Sequence, residues 1–389
     1  MNKAHLRNIS HIIRLTITSI LFIMMLRPYV IWSHMFLVDF AFAGFVLLLL
    51  NFKSPKVINR KKLNLIFALF GVLAVYSTVS GDIQIFNLLL LFLIVASEED
   101  QIEVYKGCHT VLAIILTISL VVAVLVLSGI QLPHDILDPP SNVRTNKYMT
   151  YPFLAVAFYE DTNLSMMRFA SMFDEPGVVG TLSSIFLVIE KFNFKKWQNL
   201  VFLISGVFSF SFFFFVVLLF FVPFYLQINF KRIIGIGILV AALVLLLNEF
   251  EDTTELGLAE HLIERFEFKN GHFEGDNRST PTFDRAYEAL WGDIGELLFG
   301  KGVGAHLRIA QGIQSYKMMI YDLGLIYVLL SLFFFILHGY LSLGKEKKTL
   351  ILFIILVLFF YYNRPAYLFT PPYFFLLMVA PLYLKNSKI

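Results

Sequence analysis

The stretch Phe299-Gly300-Lys301-Gly302-Val303-Gly304 lies near the end of the longest polar interruption in an otherwise apolar chain. That interruption, residues 249–317, carries thirteen acidic residues against seven lysines and arginines. On both sides of it the sequence consists mostly of apolar blocks joined by short basic segments. We therefore expect any chemistry to lie where this polar segment meets the apolar blocks.

The composition indicates an integral membrane protein. Of the 389 residues, 58% are hydrophobic and only 15% are charged, whereas a soluble domain has about 25% charged residues. Blocks of roughly 17–25 apolar residues, the length of a transmembrane helix, recur from one end to the other. The single cysteine, Cys108, excludes an internal disulfide and a thiolate metal cluster within one chain.

The distribution of positive charge predicts the topology. Residues 53–62 contain five lysines and arginines and no acid, which places them in the cytoplasm together with Lys3 and Arg7. The acidic segment 97–107 should also lie inside, as an exception to the charge pattern. We interpret the long apolar run 199–226 as two short spans, because a single span would place the later basic segments outside.

These observations predict an all-α polytopic membrane protein with about twelve transmembrane helices and both termini in the cytoplasm. Two long loops would then share the outer side of the membrane, together with a short turn at residues 363–365 between the last two spans, where Arg364 is a charge near a span end. The predicted divisions are helices 1–5 in residues 1–130, the first outer loop in 131–176, helices 6–9 in 177–248, the second, large outer loop in 249–317 and helices 10–12 in 318–389.

The first candidate cluster closes the first outer loop. Arg168, Asp174 and Glu175 precede Pro176, which suits the first turn of a helix. They are either solvated charges at a capped helix start or a site where Arg168 meets a lipid-linked phosphate. Arginine suits phosphate because its planar guanidinium donates two parallel hydrogen bonds and keeps its charge.

The second cluster contains Arg278, Asp284 and Arg285. A helix is predicted from Thr282 to near Gly300, with Arg285 on its first turn beside Asp284. The alternative to a phosphate-binding role is a surface ion pair, which contributes little to stability. Arg265, on a predicted helix over residues 256–268, is interpreted as a surface pair of this kind.

The third cluster is the glycine run and His306. No Lys-Ser or Lys-Thr follows the glycines and no strand precedes them, so a nucleotide-binding loop is rejected. His306 is either a general base or an interfacial histidine. The outer loops contain no Asp-x-Asp pair and no histidine or cysteine cluster at ligand spacing, so we expect no metal.

Three motifs in this order resemble the Wzy-type O-antigen and capsular polysaccharide polymerases, which are grouped with the O-antigen ligases. The motifs are Arg-Phe-x-Ser-x-Phe-x-Glu-Pro-Gly from Arg168, Phe-Gly-x-Gly-x-Gly from Phe299 and Asp-Leu-Gly-Leu from Asp322. The resemblance extends over essentially the whole chain in its pattern of apolar spans and two long loops. It implies a GT-C-like fold in the bacterial inner membrane.

The resemblance also implies a metal-independent glycosyl transfer without cofactor. The growing glycan would pass from undecaprenyl diphosphate to a lipid-linked repeat unit, without nucleic acid, and the chain would act either alone or beside a chain-length regulator. We predict that three arginines bind the diphosphate and that one of four residues is the base. The arginines are Arg168, Arg278 and Arg285, and the base candidates are Glu175, Asp174, Asp284 and His306.

Two alternatives remain. An O-antigen ligase would transfer the glycan to the lipid A-core, but ligases carry a histidine near the start of the span after the long loop, where this chain has Gln314 and Ser315. A polysaccharide transporter or flippase would show inverted repeats and broken helices with charge at mid-membrane. Neither feature is visible in the sequence.

The topology generates a direct prediction. Reporter tags near Asn142 and Gly271 should be accessible from outside the cell, and tags near Asn59, Lys195 and Lys347 should not, because the basic segments stay inside. Accessibility is measured with a membrane-impermeant reagent on intact cells. Finding Asn142 and Gly271 on opposite sides would overturn the twelve-span topology.

Overall fold

The computed structural model of the chain describes residues 3–52, 57–82, 85–137, 147–158, 168–225, 268–269, 272–273, 279–310 and 312–386. The chain forms two compact units. The first unit consists of Met1–Leu26, His34–Val111 and Arg278–Ile389, and the second of Arg27–Ser33 and Leu112–Asn277.

Helices dominate the described residues. The α-helices are α1 Lys3–Met25, α2 Leu37–Leu50, α3 Arg60–Ser80, α4 Ile85–Val95, α5 Glu98–Leu127, α6 Pro176–Ile189, α7 Trp197–Phe208, α8 Phe212–Tyr225, α9 Pro281–Ala289, α10 Ile294–Phe299, α11 Tyr316–Leu343, α12 Lys347–Asn363 and α13 Pro371–Asn386. Short 3-10 helices cover Tyr29–His34, Leu290–Gly292, Ala305–Arg308 and Pro365–Tyr367. The strands are β1 Asp135–Leu137, β2 Lys147–Tyr151, β3 Leu154–Phe158, β4 Phe268–Lys269 and β5 His272–Phe273.

The protein is a mostly helical membrane protein. In the described part of the chain, α3, α5 and α11 are long and apolar enough to cross a membrane, and several shorter apolar helices accompany them. The count of about twelve spans stays a prediction. Its span at 233–247 and the helix at 256–268 with Arg265 lie outside the described residues.

In the first unit, α11 packs against α3, α10, α12 and α13. Helix α13 is buried at every position from 372 to 384, so its aromatic side chains form the centre of this unit. The ring of Phe374 stacks on Phe334 at 5.7 Å between centroids, and Phe375 lies 5.0 Å from Phe45. Large apolar side chains therefore hold α11 in place by contacts on several sides.

The second unit contains a three-stranded antiparallel sheet in the order β1-β2-β3. The Trp32 ring meets Tyr148 of β2 edge-on at 4.9 Å, and the Tyr29 hydroxyl donates to the Tyr151 carbonyl at 2.7 Å. The prediction of an all-α chain missed this sheet. Its strands are only three to five residues long, too short for a clear period-two pattern.

Helix α5 begins earlier than predicted. The sequence placed the acidic segment 97–107 in a cytoplasmic loop, but α5 starts at Glu98 and includes almost all of it. Ser97 caps the helix, since its hydroxyl accepts a hydrogen bond from the Asp100 amide at 3.1 Å. Acidic side chains in a first turn interact favourably with the positive end of the helix dipole, which explains why this segment is helical.

Two other boundaries agree with the sequence analysis. The apolar run 199–226 divides into α7 and α8, and the helical backbone is interrupted at residues 209–211. Helix α12 ends at Asn363, where a turn between the last two spans was predicted. Helix α6 is buried throughout from Gly177 to Ile189.

The helix predicted from Thr282 to Gly300 is instead three pieces, α9, a 3-10 turn and α10. It begins at Pro281, because the Thr280 hydroxyl caps it by accepting from the Phe283 amide at 3.2 Å. The interruption falls at Asp293, whose carboxylate accepts from the Gly295 and Glu296 amides and so starts a new helix.

Helix α11 is broken at Gly324, where φ is 81° and ψ is 167°. The sequence showed no broken helix, because Gly324 lies in an apolar run where a glycine is also compatible with a continuous helix. A Cβ atom at Gly324 would lie 2.2 Å from the Leu298 carbonyl oxygen. Only glycine therefore fits this position.

We predict that Gly324→Ala lowers the thermal midpoint of the detergent-purified protein well below that of Gly129→Ala. Gly129 has a similar φ of 79° but nothing within 4 Å of its Cβ position, so it controls for backbone strain alone. The clash at Gly324 adds a cost on the order of 1–3 kcal/mol. Equal midpoints for the two variants would show that α11 accommodates the extra atom.

Candidate active site

The glycine-rich loop at residues 300–304 lies against the break in α11. The Lys301 amide donates to the Tyr321 carbonyl at 2.8 Å, and the Gly302 amide donates to the Asp322 carbonyl at 3.0 Å. A helix broken at Gly324 deprives the carbonyls just before the break of their usual donors four residues later. The loop supplies replacement donors, which fixes it to the first turns of α11.

Close packing at this point requires a second glycine. Gly300 has φ 74°, and a Cβ atom there would lie 2.4 Å from the Asp322 carbonyl oxygen. Gly300 and Gly324 thus allow the two backbones to approach each other directly. The amides of Lys301 and Gly302 are already bonded to α11, so this loop does not offer them to a phosphate.

The side chain of Asp322 organises the rest of the loop. Its carboxylate accepts from the Gly304 amide at 3.0 Å and from the His306 amide at 2.9 Å. It also lies 2.6 Å from Nδ1 of the His306 ring. Asp322 is buried, so these partners provide the hydrogen bonds that water would otherwise make.

His306 and Asp322 form an oriented acid–base pair. The Asp322 carboxylate is an acceptor, so the proton between them belongs to Nδ1, and Nε2 of His306 carries the lone pair. Among the described residues, Nε2 has no hydrogen-bond partner. A neutral imidazole fixed in this tautomer by a carboxylate can accept a proton from a hydroxyl group.

Asp284 is engaged by two neighbours. Its Oδ1 atom accepts from the Lys317 ammonium and from the Ser279 hydroxyl, both at 2.7 Å. The adjacent Phe283 ring is buried against Tyr321 of α11 at 5.4 Å. These contacts hold α9 on the start of α11 and give Asp284 a cationic partner other than the expected Arg285.

Arg285 and Tyr287 lie on the same short helix α9. Arg285 is exposed, and its Nε donates to the Pro281 carbonyl at 3.3 Å. Its guanidinium thus remains accessible from outside the fold. Tyr287 is buried beside Trp291 and Lys317, and this burial raises the pKa of its hydroxyl.

Arg364 is a site residue that the sequence analysis treated only as a charge near a span end. It is buried, and its Nη1 donates to Gln314 Oε1 at 2.7 Å and to the Tyr367 hydroxyl at 3.3 Å. The guanidinium also lies 5.2 Å from the centre of the Tyr367 ring. Arg364 therefore fixes the residues that lead into α11.

In the second unit, Arg168 binds the interruption between α7 and α8. Its Nη2 donates to the Ser209 carbonyl at 3.2 Å and to the Phe210 carbonyl at 3.1 Å. The neighbouring Phe169 amide donates to the Phe208 carbonyl at 2.9 Å. The carbonyls of a non-helical segment among apolar helices need hydrogen-bond donors. Arg168 provides these donors, so it has a structural role.

Asp174 and Glu175 are half-buried at the start of α6. The Tyr148 hydroxyl donates to the backbone carbonyl of Asp174 at 2.6 Å, and Glu175 is the N-cap residue of α6. The sequence analysis correctly placed Pro176 in the first turn of this helix.

The structure brings two of the predicted site residues into defined pairs, His306 with Asp322 and Asp284 with Lys317. Asp322 was noted in the sequence only as part of a motif, and its spacing of sixteen residues from His306 gave no signal of contact. Arg168, Asp174 and Glu175 belong to the second unit. Arg278 lies outside the described residues, and the convergence of the arginines stays a prediction.

The contacts of Arg168 generate a stability test. Arg168→Ala should lower the thermal midpoint of the purified protein, because buried carbonyls that lose their donor cost about 1–3 kcal/mol. Arg285→Ala is the matched control, since Arg285 is exposed and should change the midpoint little. If both variants keep the midpoint of the unmodified chain, the hydrogen bonds of Arg168 do not stabilise the break.

Comparisons with protein-family models, with curated proteins and with solved structures find no match to this chain. The functional conclusion therefore depends on the geometry around His306 and on the motifs quoted above.

Proposed function

We propose that the protein is a polysaccharide polymerase that transfers a growing glycan from undecaprenyl diphosphate to a lipid-linked repeat unit. The observation that supports this most directly is the pair of His306 and Asp322, held against a helix long enough to cross a membrane. This arrangement offers a base at the end of a membrane span, where a lipid-linked substrate has its head group.

In the proposed reaction, Nε2 of His306 takes the proton of the acceptor hydroxyl. The acceptor oxygen then forms a bond to the anomeric carbon of the donor sugar as the bond from that carbon to the diphosphate oxygen breaks. Asp322 stabilises the resulting imidazolium and keeps the ring in its orientation. The undecaprenyl diphosphate leaves with the electron pair and gains negative charge.

The leaving diphosphate needs cationic partners in a place with little water. Arg168, Arg278 and Arg285 are the proposed partners. Arg285 fits this role best, since its side chain is exposed at the start of α9. Arg168 already donates Nη2 to two carbonyls, so its contribution to substrate binding would use its other nitrogen atoms.

The choice of base among the four candidates follows from their partners. Oδ1 of Asp284 is bonded to the Lys317 ammonium and to the Ser279 hydroxyl. Asp174 and Glu175 are half-buried at the start of α6 and belong to the second unit. His306 has the oriented geometry that proton transfer requires, so we assign the role to it.

The proposal includes the setting in which the enzyme works. The chain would cross the bacterial inner membrane about twelve times in a GT-C-like fold, with both termini in the cytoplasm and both long loops outside. No metal or other cofactor takes part. A chain-length regulator would act beside it.

An O-antigen ligase is a second candidate, and one observation removes the argument against it. The sequence argued against a ligase because Gln314 and Ser315 occupy the place of a histidine at the start of the span. In the folded chain, the ring of His306 lies against Asp322 within the first two turns of α11. The absence of a histidine from positions 314–315 therefore no longer weighs against the ligase reaction.

The transporter interpretation predicted inverted repeats and broken helices with charge at mid-membrane; α11 is broken at Gly324, but the break and Asp322 lie in the first third of the helix. Asp322 is also bound by two loop amides and by His306. A carboxylate with three fixed donors has little capacity for an exchangeable ion. The broken helix thus serves to attach the loop, which fits an enzyme better than a transporter.

The proposal predicts that His306→Gln reduces polymer formation by a factor on the order of 10²–10⁴, because glutamine cannot act as the base. The readout is polysaccharide length on a gel at matched protein abundance in the membrane. His134→Gln is the matched control, since His134 is an exposed histidine of the other long polar segment. Normal polymer from the His306 variant would refute the assignment of the base.

The same gel separates the two candidate functions. Loss of a polymerase leaves a single repeat unit on the lipid core, whereas loss of a ligase leaves none. Asp322→Asn should reduce polymer formation in the same way as His306→Gln but less severely, because asparagine keeps only one of the two acceptor oxygens that bind the loop amides and the His306 ring, and loses the carboxylate charge.

A further inference from the structure

Residues 290–307 expose several large apolar side chains. The indole of Trp291 is 60% exposed and Ile294 is 73% exposed, the highest value among the large hydrophobic residues of the described chain. Phe299, Val303 and Leu307 are exposed as well. Five exposed apolar side chains of this size within eighteen residues indicate an interaction surface.

The charged groups inside this segment are paired with groups of the same segment. Asp293 accepts from the amides of Gly295 and Glu296, and Glu296 forms a 2.7 Å ion pair with Lys301. The hydrogen bond to Glu296 raises the pKa of the Lys301 ammonium. Pairing lowers the cost of moving these charges out of bulk water.

The segment is attached to a helix that can cross a membrane. Lys301 and Gly302 bond to Tyr321 and Asp322, within the first two turns of α11. Helix α11 is broken at Gly324, and the nineteen residues after the break, 325–343, correspond to about 29 Å at about 1.5 Å per residue. This part alone matches a hydrocarbon core of about 30 Å, so the residues before the break lie at the depth of the lipid head groups.

Helix α11 also identifies the surroundings of the segment. Beyond the break at Gly324, its exposed large side chains are Leu329, Phe333, Ile336 and Tyr340, at spacings of four, three and four residues. This spacing forms one stripe along a helix, and on a membrane span such a stripe contacts lipid. The segment at residues 290–307 is therefore attached near the start of a helix that contacts lipid.

We propose that residues 290–307 form an interfacial segment whose apolar side chains enter the head-group region and the adjoining acyl chains of the bilayer. Tryptophan suits this depth because its ring is apolar and its N–H is polar. The partner is thus a lipid surface rather than a soluble protein or a second copy of the chain. The inference does not depend on the proposed glycosyl transfer, since it concerns only where the segment lies.

The test uses spin labels in liposomes of phosphatidylethanolamine and phosphatidylglycerol. The background variant is Cys108→Ala, and either Ile294→Cys or the matched control Glu288→Cys is added to carry the label. Glu288 is an exposed charged residue of the neighbouring α9. The label at 294 should collide several-fold more often with oxygen, which dissolves in lipid, than with a water-soluble nickel complex. The label at 288 should show the reverse preference.

Two outcomes would overturn the proposal. Equal access of the nickel complex to both labels would place the segment in water, and dipolar broadening at 294 would place it against a second copy. A second measurement keeps the test valid if the cysteine variants do not fold. Brominated lipids should quench the fluorescence of the unmodified protein more than that of Trp291→Phe, and equal quenching would contradict lipid contact.

Discussion

The carboxylate of Asp322 holds together the part of the first unit that contains His306. It joins the glycine-rich loop and the adjoining 3-10 turn with His306 to the broken start of α11. Removing this side chain would leave two loop amides and one imidazole N–H without their acceptor in a buried place, where such losses cost the most free energy. The position and the tautomer of His306 are therefore consequences of this one side chain.

The same physical constraint shapes both units. Backbone groups among apolar helices have no water to bond, so every interruption of a helix needs donors or acceptors from another part of the chain. At Gly324 the donors are the amides of Lys301 and Gly302, and at residues 208–210 they are Arg168 and the Phe169 amide. Two of the three motifs, those from Arg168 and from Phe299, thus contain residues that bond to the interrupted backbone, and the third, from Asp322, contains the break at Gly324 itself.

The sequence was sufficient to predict the helical membrane class and several helix boundaries, because apolar blocks and Pro176 are local signals. It also predicted that the apolar run 199–226 is divided, from the positions of the basic segments. The break at Gly324 and the pairing of His306 with Asp322 could not be predicted, since they depend on two backbones that meet in space. The strands around Tyr148 were missed because packing against Trp32, rather than intrinsic pattern, gives them their conformation.

At both interruptions, the residues that donate the hydrogen bonds are synthesised before the backbone that accepts them. In each case the donor segment comes first along the chain: Lys301 precedes Tyr321 by about twenty residues, and Arg168 precedes Phe210 by 42. At about 5–20 residues per second, the donors leave the ribosome some seconds before the backbone they will bind. Each broken helix therefore enters the membrane after its partner has been made, and its open carbonyls can be satisfied as soon as they appear.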